Sequence, residues 1–214
     1  MRSKYFKEKG GATERGAVAG YATAQSGVCG DAMTEKQKLQ AGELYTVDEE
    51  LAAELARAKK MCEEYNSTPR EEREKRKQIM RGLLGKCGEN FNIESNVWFD
   101  YGYNTEVGEN FYANHDCMFL DTNKLIFGDN VFIAPQCGFY TAGHPLDAPT
   151  RNAGLEFAKP IKVGNDVWIG GGVIVLPGVT IGDNVVIGAG SVVVKDIPSN
   201  CVAVGNPARV VKKL

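Results

Sequence analysis

From residue 163 onward an aliphatic side chain returns at every sixth position: Val163, Ile169, Val175, Ile181, Ile187 and Val193. Gly follows at once at four of them, as Gly164, Gly170, Gly182 and Gly188. Upstream the beat is weaker, in Phe127-Gly128, Ile133-Ala134 and Phe139, and before them in Val107-Gly108, Ala113 and Phe119. A period of six matches neither an amphipathic helix nor an antiparallel sandwich, which shows period-two alternation and turns every 8–12 residues. It suits a short strand followed by a tight corner. Three such units would close a triangular turn and stack their aliphatic residues inward at the strand spacing of about 4.8 Å. The glycines are expected to occupy corner φ values that a β-carbon would forbid. Residues 85–214 are therefore predicted to form a β-solenoid. The beat is lost between Phe139 and Lys159, which predicts a loop leaving the scaffold, where function tends to be carried.

Residues 33–84 carry a helical pattern. Leu51, Leu55, Ala58, Cys62 and Tyr65 recur at steps of four and three and make one apolar stripe. Asn66-Ser67-Thr68-Pro69 breaks the helix. Thr68, Pro69 and Glu71 then read as N-cap, first-turn proline and capping-box acid of a second helix. The mixed-sign run Arg70–Lys77 reads as a solvated helix face held by i,i+4 pairs. Residues 1–32 hold six Gly and six Ala and little that could pack, and a good translation start follows at Met33. They are expected to be a disordered or non-native extension rather than a targeting arm.

Composition sharpens this division. Of the 25 Gly in 214 residues, 17 lie in the last 130, so the excess belongs to the repeat. With 25 basic and 27 acidic side chains the net charge is −2, which offers no basic footprint for a nucleic acid. The uncharged stretch Val167–Gly182 is 16 residues long and holds five Gly and one Pro, too little for a membrane span. The first 32 residues contain no apolar export segment, so a cytoplasmic location is expected. Cys29, Cys62, Cys87, Cys117, Cys137 and Cys201 show no CxxC pair, and read as free thiols rather than zinc ligands or disulfides. The only histidines are His115 and His144, so no three-histidine metal site can come from one chain.

Specific motifs join these patterns to a family. They are Ala41-Gly42-Glu43-Leu44-Tyr45, Asn110-Phe111-Tyr112-Ala113-Asn114, Thr141-Ala142-Gly143-His144-Pro145, Ile181-Gly182-Asp183-Asn184, Gly188-Ala189-Gly190-Ser191 and the terminal Gly205-Asn206-Pro207-Ala208-Arg209-Val210. In this order they resemble the maltose/galactoside/nodulation O-acetyltransferases, among the hexapeptide-repeat acyltransferases. The resemblance implies a mostly β fold: a left-handed parallel β-helix with an N-terminal α-helical region and a protruding loop. Its left-handed coil, an exception to the usual right-handed crossover, follows from the resemblance and not from the beat. The resemblance also implies acetyl-CoA as co-substrate, no metal, a sugar acceptor, and a homotrimer with active sites between subunits.

The family's catalytic histidine falls on His144, where it would deprotonate the acceptor hydroxyl; imidazole suits that task because its ordinary pKa lies near working pH. His115 is the one rival, and the matching family position is not a catalytic histidine. Acceptor contacts are implied for Asp48, Arg57, Asp100, Tyr112 and Asn114, with Asp121 beside them. Asp100 replaces the Ser usual in galactoside enzymes and favours a glucosyl acceptor such as maltose or glucose, while Thr122 stands where a second acid is usual. For the acetyl-CoA side the resemblance implies Asn114, Trp168, Gly171, Ala189, Val194, Lys195 and Arg209. Gly171 would offer a backbone N–H to the oxyanion, without the hydroxyl of the Ser common there, and Arg209 would meet the coenzyme's phosphates.

Other readings are a galactoside or other small hydroxylated acceptor, or a non-catalytic solenoid scaffold. The γ-type carbonic anhydrases share the coil but need a His-x4-His pair that is missing here. Related coils that acetylate amino acids or antibiotics generally lack the Ala41–Tyr45 opening.

Overall fold

The computed structural model describes residues 33–214; the expectation for residues 1–32 lies outside the described residues. The helical region forms three helices: α1 (Glu35–Ala41), α2 (Glu49–Ser67) and α3 (Arg73–Leu83). A capping box opens α1, with the Gln37 N–H donating to Thr34 Oγ1 at 3.2 Å and the Thr34 N–H to Gln37 Oε1 at 2.9 Å. Asp48 caps α2, its Oδ1 accepting from the Leu51 N–H at 3.0 Å. The expected stripe is the buried face of α2: Leu51, Ala58, Cys62 and Tyr65 are buried, and Leu55 packs half-buried beside them.

Two details of this region differ from the sequence reading. Thr68 does not open the second helix. Its hydroxyl donates to Glu64 O at 2.7 Å and closes α2, whose last carbonyls compete for that donor, and α3 begins only at Arg73. The charge run is also not wholly solvated. Arg76 is 6% exposed and donates to Tyr65 O and Thr68 O, each at 3.0 Å, and to Ile93 O at 3.2 Å. Its guanidinium lies 3.9 Å from the Tyr65 ring centroid, a cation–π contact. Arg76 thus ties the helix junction to the first coil.

The solenoid consists of three sheets around a triangular interior. The first runs from Lys86–Cys87 to Thr180–Ile181, the second from Phe91–Ile93 to Cys201–Val204, and the third from Trp98–Phe99 to Val192–Val193. All rungs pair in parallel except Arg209–Lys213, which folds back antiparallel on Cys201–Val204 and ends the second sheet. Every aliphatic residue of the six-residue beat is buried. In the early coils aromatics take its place: Phe99, Phe119 and Phe139 stack with centroids 4.8 and 5.4 Å apart.

The beat glycines serve a different purpose from the one expected. Gly164, Gly170, Gly182 and Gly188 are not in the left-handed region. A β-carbon on Gly170 would sit 2.6 Å from Ala189 N and 2.9 Å from Ile187 O, so the neighbouring coil excludes it. At one column of corners the left-handed φ is carried by Asn110 (57°), Asn130 (56°), Asp166 (55°), Asn184 (51°) and Asn200 (60°). Short polar side chains tolerate that conformation and hydrogen-bond locally. Here they form a ladder, with Nδ2-to-Oδ1 bonds of 2.6 Å from Asn90 to Asn110, 2.8 Å from Asn110 to Asn130, 2.8 Å from Asn130 to Asp166 and 2.9 Å from Asn184 to Asn200.

The weaker beat upstream has a structural cause. Cys87 pairs with Val107 and Val107 with Phe127, twenty residues apart, whereas Val163 pairs with Ile181, eighteen apart. The extra residues lie around 101–104 and 121–124, and Asp121 organises them. Its Oδ1 accepts from the Tyr101 N–H at 2.8 Å and its Oδ2 from the Thr105 hydroxyl at 2.9 Å. Burial pushes its carboxyl up to about 7. The helices pack over these insertions: Asn123 Nδ2 donates to Leu39 O at 3.1 Å and the Tyr103 hydroxyl to Glu54 at 2.6 Å. The expected loop leaves after Tyr140. Ala142–Gly143 pairs antiparallel with Phe157–Ala158, and a short helix, α4 (Ala148–Asn152), lies between. The Tyr45 hydroxyl anchors the returning strand through Glu156 at 2.7 Å.

Gly170→Ala is expected to lower stability by about 1–3 kcal/mol through overpacking against fixed backbone. At Gly154 (φ 82°) nothing lies within 4 Å of a β-carbon, so Gly154→Ala meets only backbone strain of about 1–2 kcal/mol. A loss at Gly170 well below about 1 kcal/mol by thermal unfolding would refute the coil-spacing account. For Asp121 the folded pKa near 7 lies above the unfolded value of about 3.9. The folded chain therefore keeps a proton that the unfolded chain releases, and this contribution to stability falls as pH rises from about 4 to 7 and is level above. Asp121→Asn retains an acceptor for Tyr101 and should flatten that slope in denaturant titrations across pH; an unchanged slope contradicts the assignment.

Candidate active site

Coil stacking turns residues distant in sequence into columns along the edges of the prism. Between the second and third sheets, Glu94, Asn114, Ala134, Gly170 and Gly188 form one column, linked through backbone bonds such as Glu94 N to Ala113 O (2.8 Å), Asn114 N to Ile133 O (2.9 Å) and Gly170 N to Ile187 O (2.8 Å). The next column is His115, Pro135, Gly171 and Ala189, where Gln136 N donates to His115 O (2.9 Å) and Gly190 N to Gly171 O (2.8 Å). Beside this edge, on the outer face of the second sheet, Tyr112 pairs with Phe132, Phe132 with Trp168 and Trp168 with Val186. Phe132 is 48% and Trp168 58% exposed, which makes an apolar wall open to the outside.

The edge between the third and first sheets carries a second group. Asp100 follows the strand Trp98–Phe99 there, and the loop with His144 leaves from the same edge after Tyr140. Val194 and Lys195 lie exposed on it after Val192–Val193. The third sheet therefore separates His144 and Asp100 from Asn114, Trp168, Gly171 and Ala189 of the same chain.

Asn114 Oδ1 accepts from the His115 N–H at 2.8 Å, so its amide NH2 faces away with two donors to offer. His115 Nδ1 lies 3.3 Å from Ser95 O and Nε2 lies 3.9 Å from Glu94 Oε2. Glu94 is buried and also accepts from Arg70 at 3.0 Å and Asn92 at 3.2 Å. Burial, with the nearby Glu94 charge, raises the Tyr112 phenol above its ordinary value. Asp100 is half-buried and burial raises its carboxyl; the Thr122 hydroxyl approaches it at 3.5 Å. His144 is exposed and follows Gly143, where a β-carbon would strike the Phe157 ring at 2.6 Å. Arg151 Nη1 donates to Pro145 O at 3.0 Å and Leu146 O at 3.1 Å, and so holds the chain just beyond His144.

Of the residues expected at the acceptor, Asp121 is enclosed in this chain, and Asp48 and Arg57 each make one bond to a neighbouring backbone group. Asp121 is fully buried in the insertion, and its two oxygens are occupied by Tyr101 and Thr105, which removes it from an open pocket. Asp48 caps α2, and Arg57 Nη2 donates to Gly82 O of α3 at 3.1 Å. Arg209 is exposed on the antiparallel strand that ends the second sheet, and its Nη1 donates to Ala208 O at 2.8 Å. Glu94 escaped the sequence reading because a lone acid in a coil carries no spacing signal. Its position twenty residues before Asn114, one early coil, could have placed it beneath that residue.

Among the described residues no group of three or more His, Cys, Asp or Glu is placed to hold a metal ion, and no helix is long and apolar enough to cross a membrane. Cys62, Cys87, Cys117, Cys137 and Cys201 are free thiols.

Residues 38–88 match the family model of the maltose acetyltransferase hexapeptide capping motif, and residues 160–195 match that of the bacterial transferase hexapeptide. A maltose O-acetyltransferase from Clostridium difficile 630 superposes with a TM-score of 0.85 at 57% identity, over 86% of this chain and 99% of that one. A galactoside acetyltransferase in complex with coenzyme A gives 0.83 at 43% identity, over 85% and 92%. A hexapeptide-repeat acetyltransferase from Vibrio cholerae O1 biovar eltor, complexed with acetyl coenzyme A, gives 0.80 at 33%, over 85% and 99%. With both halves of the chain so matched, the protein belongs to the maltose/galactoside O-acetyltransferase family, whose left-handed parallel β-helix it shares.

Proposed function

We propose that the protein moves an acetyl group from acetyl-CoA to a sugar hydroxyl, with a glucosyl acceptor such as maltose or glucose, and that His144 is the general base. The observation that carries this reading is the placement of His144 on a clamped, exposed loop at the prism edge. The acceptor hydroxyl attacks the thioester carbonyl as His144 takes its proton. The Gly171 N–H and the Asn114 amide hold the oxyanion of the tetrahedral intermediate, where one such donor is worth about 3 kcal/mol. Collapse breaks the C–S bond, and the leaving thiolate recovers the proton from His144. Trp168 packs on the pantetheine arm, Ala189, Val194 and Lys195 line its channel, and Arg209 meets the phosphates. Asp100 and Tyr112 accept and donate hydrogen bonds to the sugar, with Asp100 favouring the glucosyl acceptor; charge-assisted bonds suit sugar hydroxyls.

The reading includes a homotrimer. One chain's His144 and Asn114 lie on different edges of its prism, and a neighbour that brings its own Asn114 edge to this His144 completes the site. The exposed side chains fit such an arrangement: Leu146, two residues from His144, is 97% exposed, and Trp168 and Phe132 form an uncovered apolar wall. Asp48 Oδ2 and the remaining N–H groups of Arg57 are left for the acceptor.

A coenzyme-A release assay with acetyl-CoA and a panel of sugars is expected to give sugar-dependent thiol, highest with maltose or glucose. His144→Asn should lower kcat about 10²–10⁴-fold, while His115→Asn retains most of it. No sugar-dependent thiol would support a pure scaffold, and loss at His115 with retention at His144 would reverse the assignment of the base.

A further inference from the structure

We infer that the groove between α3 and the first coil is a distal acceptor subsite that takes the anionic group of a phosphorylated sugar; this rests on the acceptor reading above. The groove measures about 430 Å³, within the range of small-molecule sites, and lies between the α3 residues Arg73 and Lys77 and the first-coil residues Asn92 and Glu94. Four of its side chains are cationic (Arg70, Arg73, Arg76 and Lys77) and two are anionic (Glu74 and Glu94). Arg70 is paired with Glu94 at 3.0 Å, and Arg76 donates to three carbonyls. Among the described residues Arg73 and Lys77 make no ion pair, and both face the groove. Glu74 lines the same groove and also makes no ion pair, so the lining as a whole keeps an excess of two positive charges; a phosphate monoester accepts from Arg73 and Lys77, through the planar fork of Arg and the point charge of Lys.

A continuous polar track connects the groove to the reacting region. Glu94, on the groove wall, lies directly beneath Asn114 in its edge column. Its Oε2 is 3.9 Å from His115 Nε2, and the His115 N–H donates to Asn114 Oδ1 at 2.8 Å. Asn92 adds an amide 3.2 Å from Glu94 Oε1. A sugar ring at Asn114 and Tyr112 can thus extend along His115 and Glu94, with its anionic end at Arg73 and Lys77. Glu94 and His115 act as positioning residues for this path. The mixed-sign run Arg70–Lys77 then has a use beyond solvating a helix.

Isothermal titration with glucose 1-phosphate, glucose and inorganic phosphate, on the full chain and on an R73Q/K77Q variant, tests the assignment. Glucose 1-phosphate is expected to bind about tenfold or more tightly than glucose, the worth of one charge-assisted hydrogen bond, and the variant should bring the two within about twofold. An unfolding midpoint equal to the parent's shows that the variant lost charge and not fold. Equal binding of the two sugars by the parent overturns the inference, as does a preference that survives in the variant. Inorganic phosphate binding as tightly as glucose 1-phosphate also overturns it, because the site is then a free-anion site. Thiol release by the parent chain with the same sugars separates the two readings. If the parent releases no thiol with any sugar but the binding preference persists, the transfer reading fails and the anion-binding groove stands; if the parent acetylates neutral sugars but shows no preference, the groove alone fails.

Discussion

Parallel strands lie about 4.8 Å apart, and this chain applies that spacing at every coil of a three-sided prism. The rest of the structure follows from it. Each rung turns one or two side chains into the interior, so aliphatic and aromatic residues return at the beat. After the inward Ile169 the next coil lies so close that a β-carbon at Gly170 would reach the Ala189 backbone. Along one edge the left-handed corners fall to Asn and Asp, whose side chains bond as a ladder, while Gly172, Gly178 and Gly190 take that conformation at other corners. A regular coil also converts long sequence separations into adjacent positions, which is how Asn114 comes to share an edge with Gly171 and Ala189.

The N-terminal helices and the loop exploit departures from that regularity. Two early coils are longer, and the extra residues are held by the buried Asp121 and covered by α1 and α2. Arg76 joins the helix junction to the first coil through three carbonyls. The loop after Tyr140 departs from the edge that carries Asp100 and projects His144 outward. The regular coil thus fixes the columns of Asn114 and Gly171, and the irregular edge carries His144 away from them.

Much of this was legible in the residues. The beat from Val163 to Val193 specifies the solenoid, its loss after Phe139 locates the loop, and the α2 stripe specifies the buried helix face. The Thr-Ala-Gly-His-Pro motif identifies the candidate base. What was not legible depends on tertiary competition. Thr68 has two helix ends within reach, and spacing alone does not say which takes its hydroxyl. Arg76 looks like its charged neighbours until the carbonyls of Tyr65, Thr68 and Ile93 converge on it. Asp121 reads as a pocket acid, yet the insertion it organises encloses it. Glu94 and the groove beside it emerge only once coils twenty residues apart are stacked.

The central claim is that the site is assembled from His144 of one subunit and Asn114 of another. Co-assembly of His144→Asn and Asn114→Ala chains, each inactive alone, tests it directly. For random mixing about a quarter of the sites between subunits would pair an intact His144 with an intact Asn114, so the mixture should regain about that fraction of the parent's sugar-dependent thiol release. A mixture as inactive as its components would place both residues of each site in one chain and contradict the account.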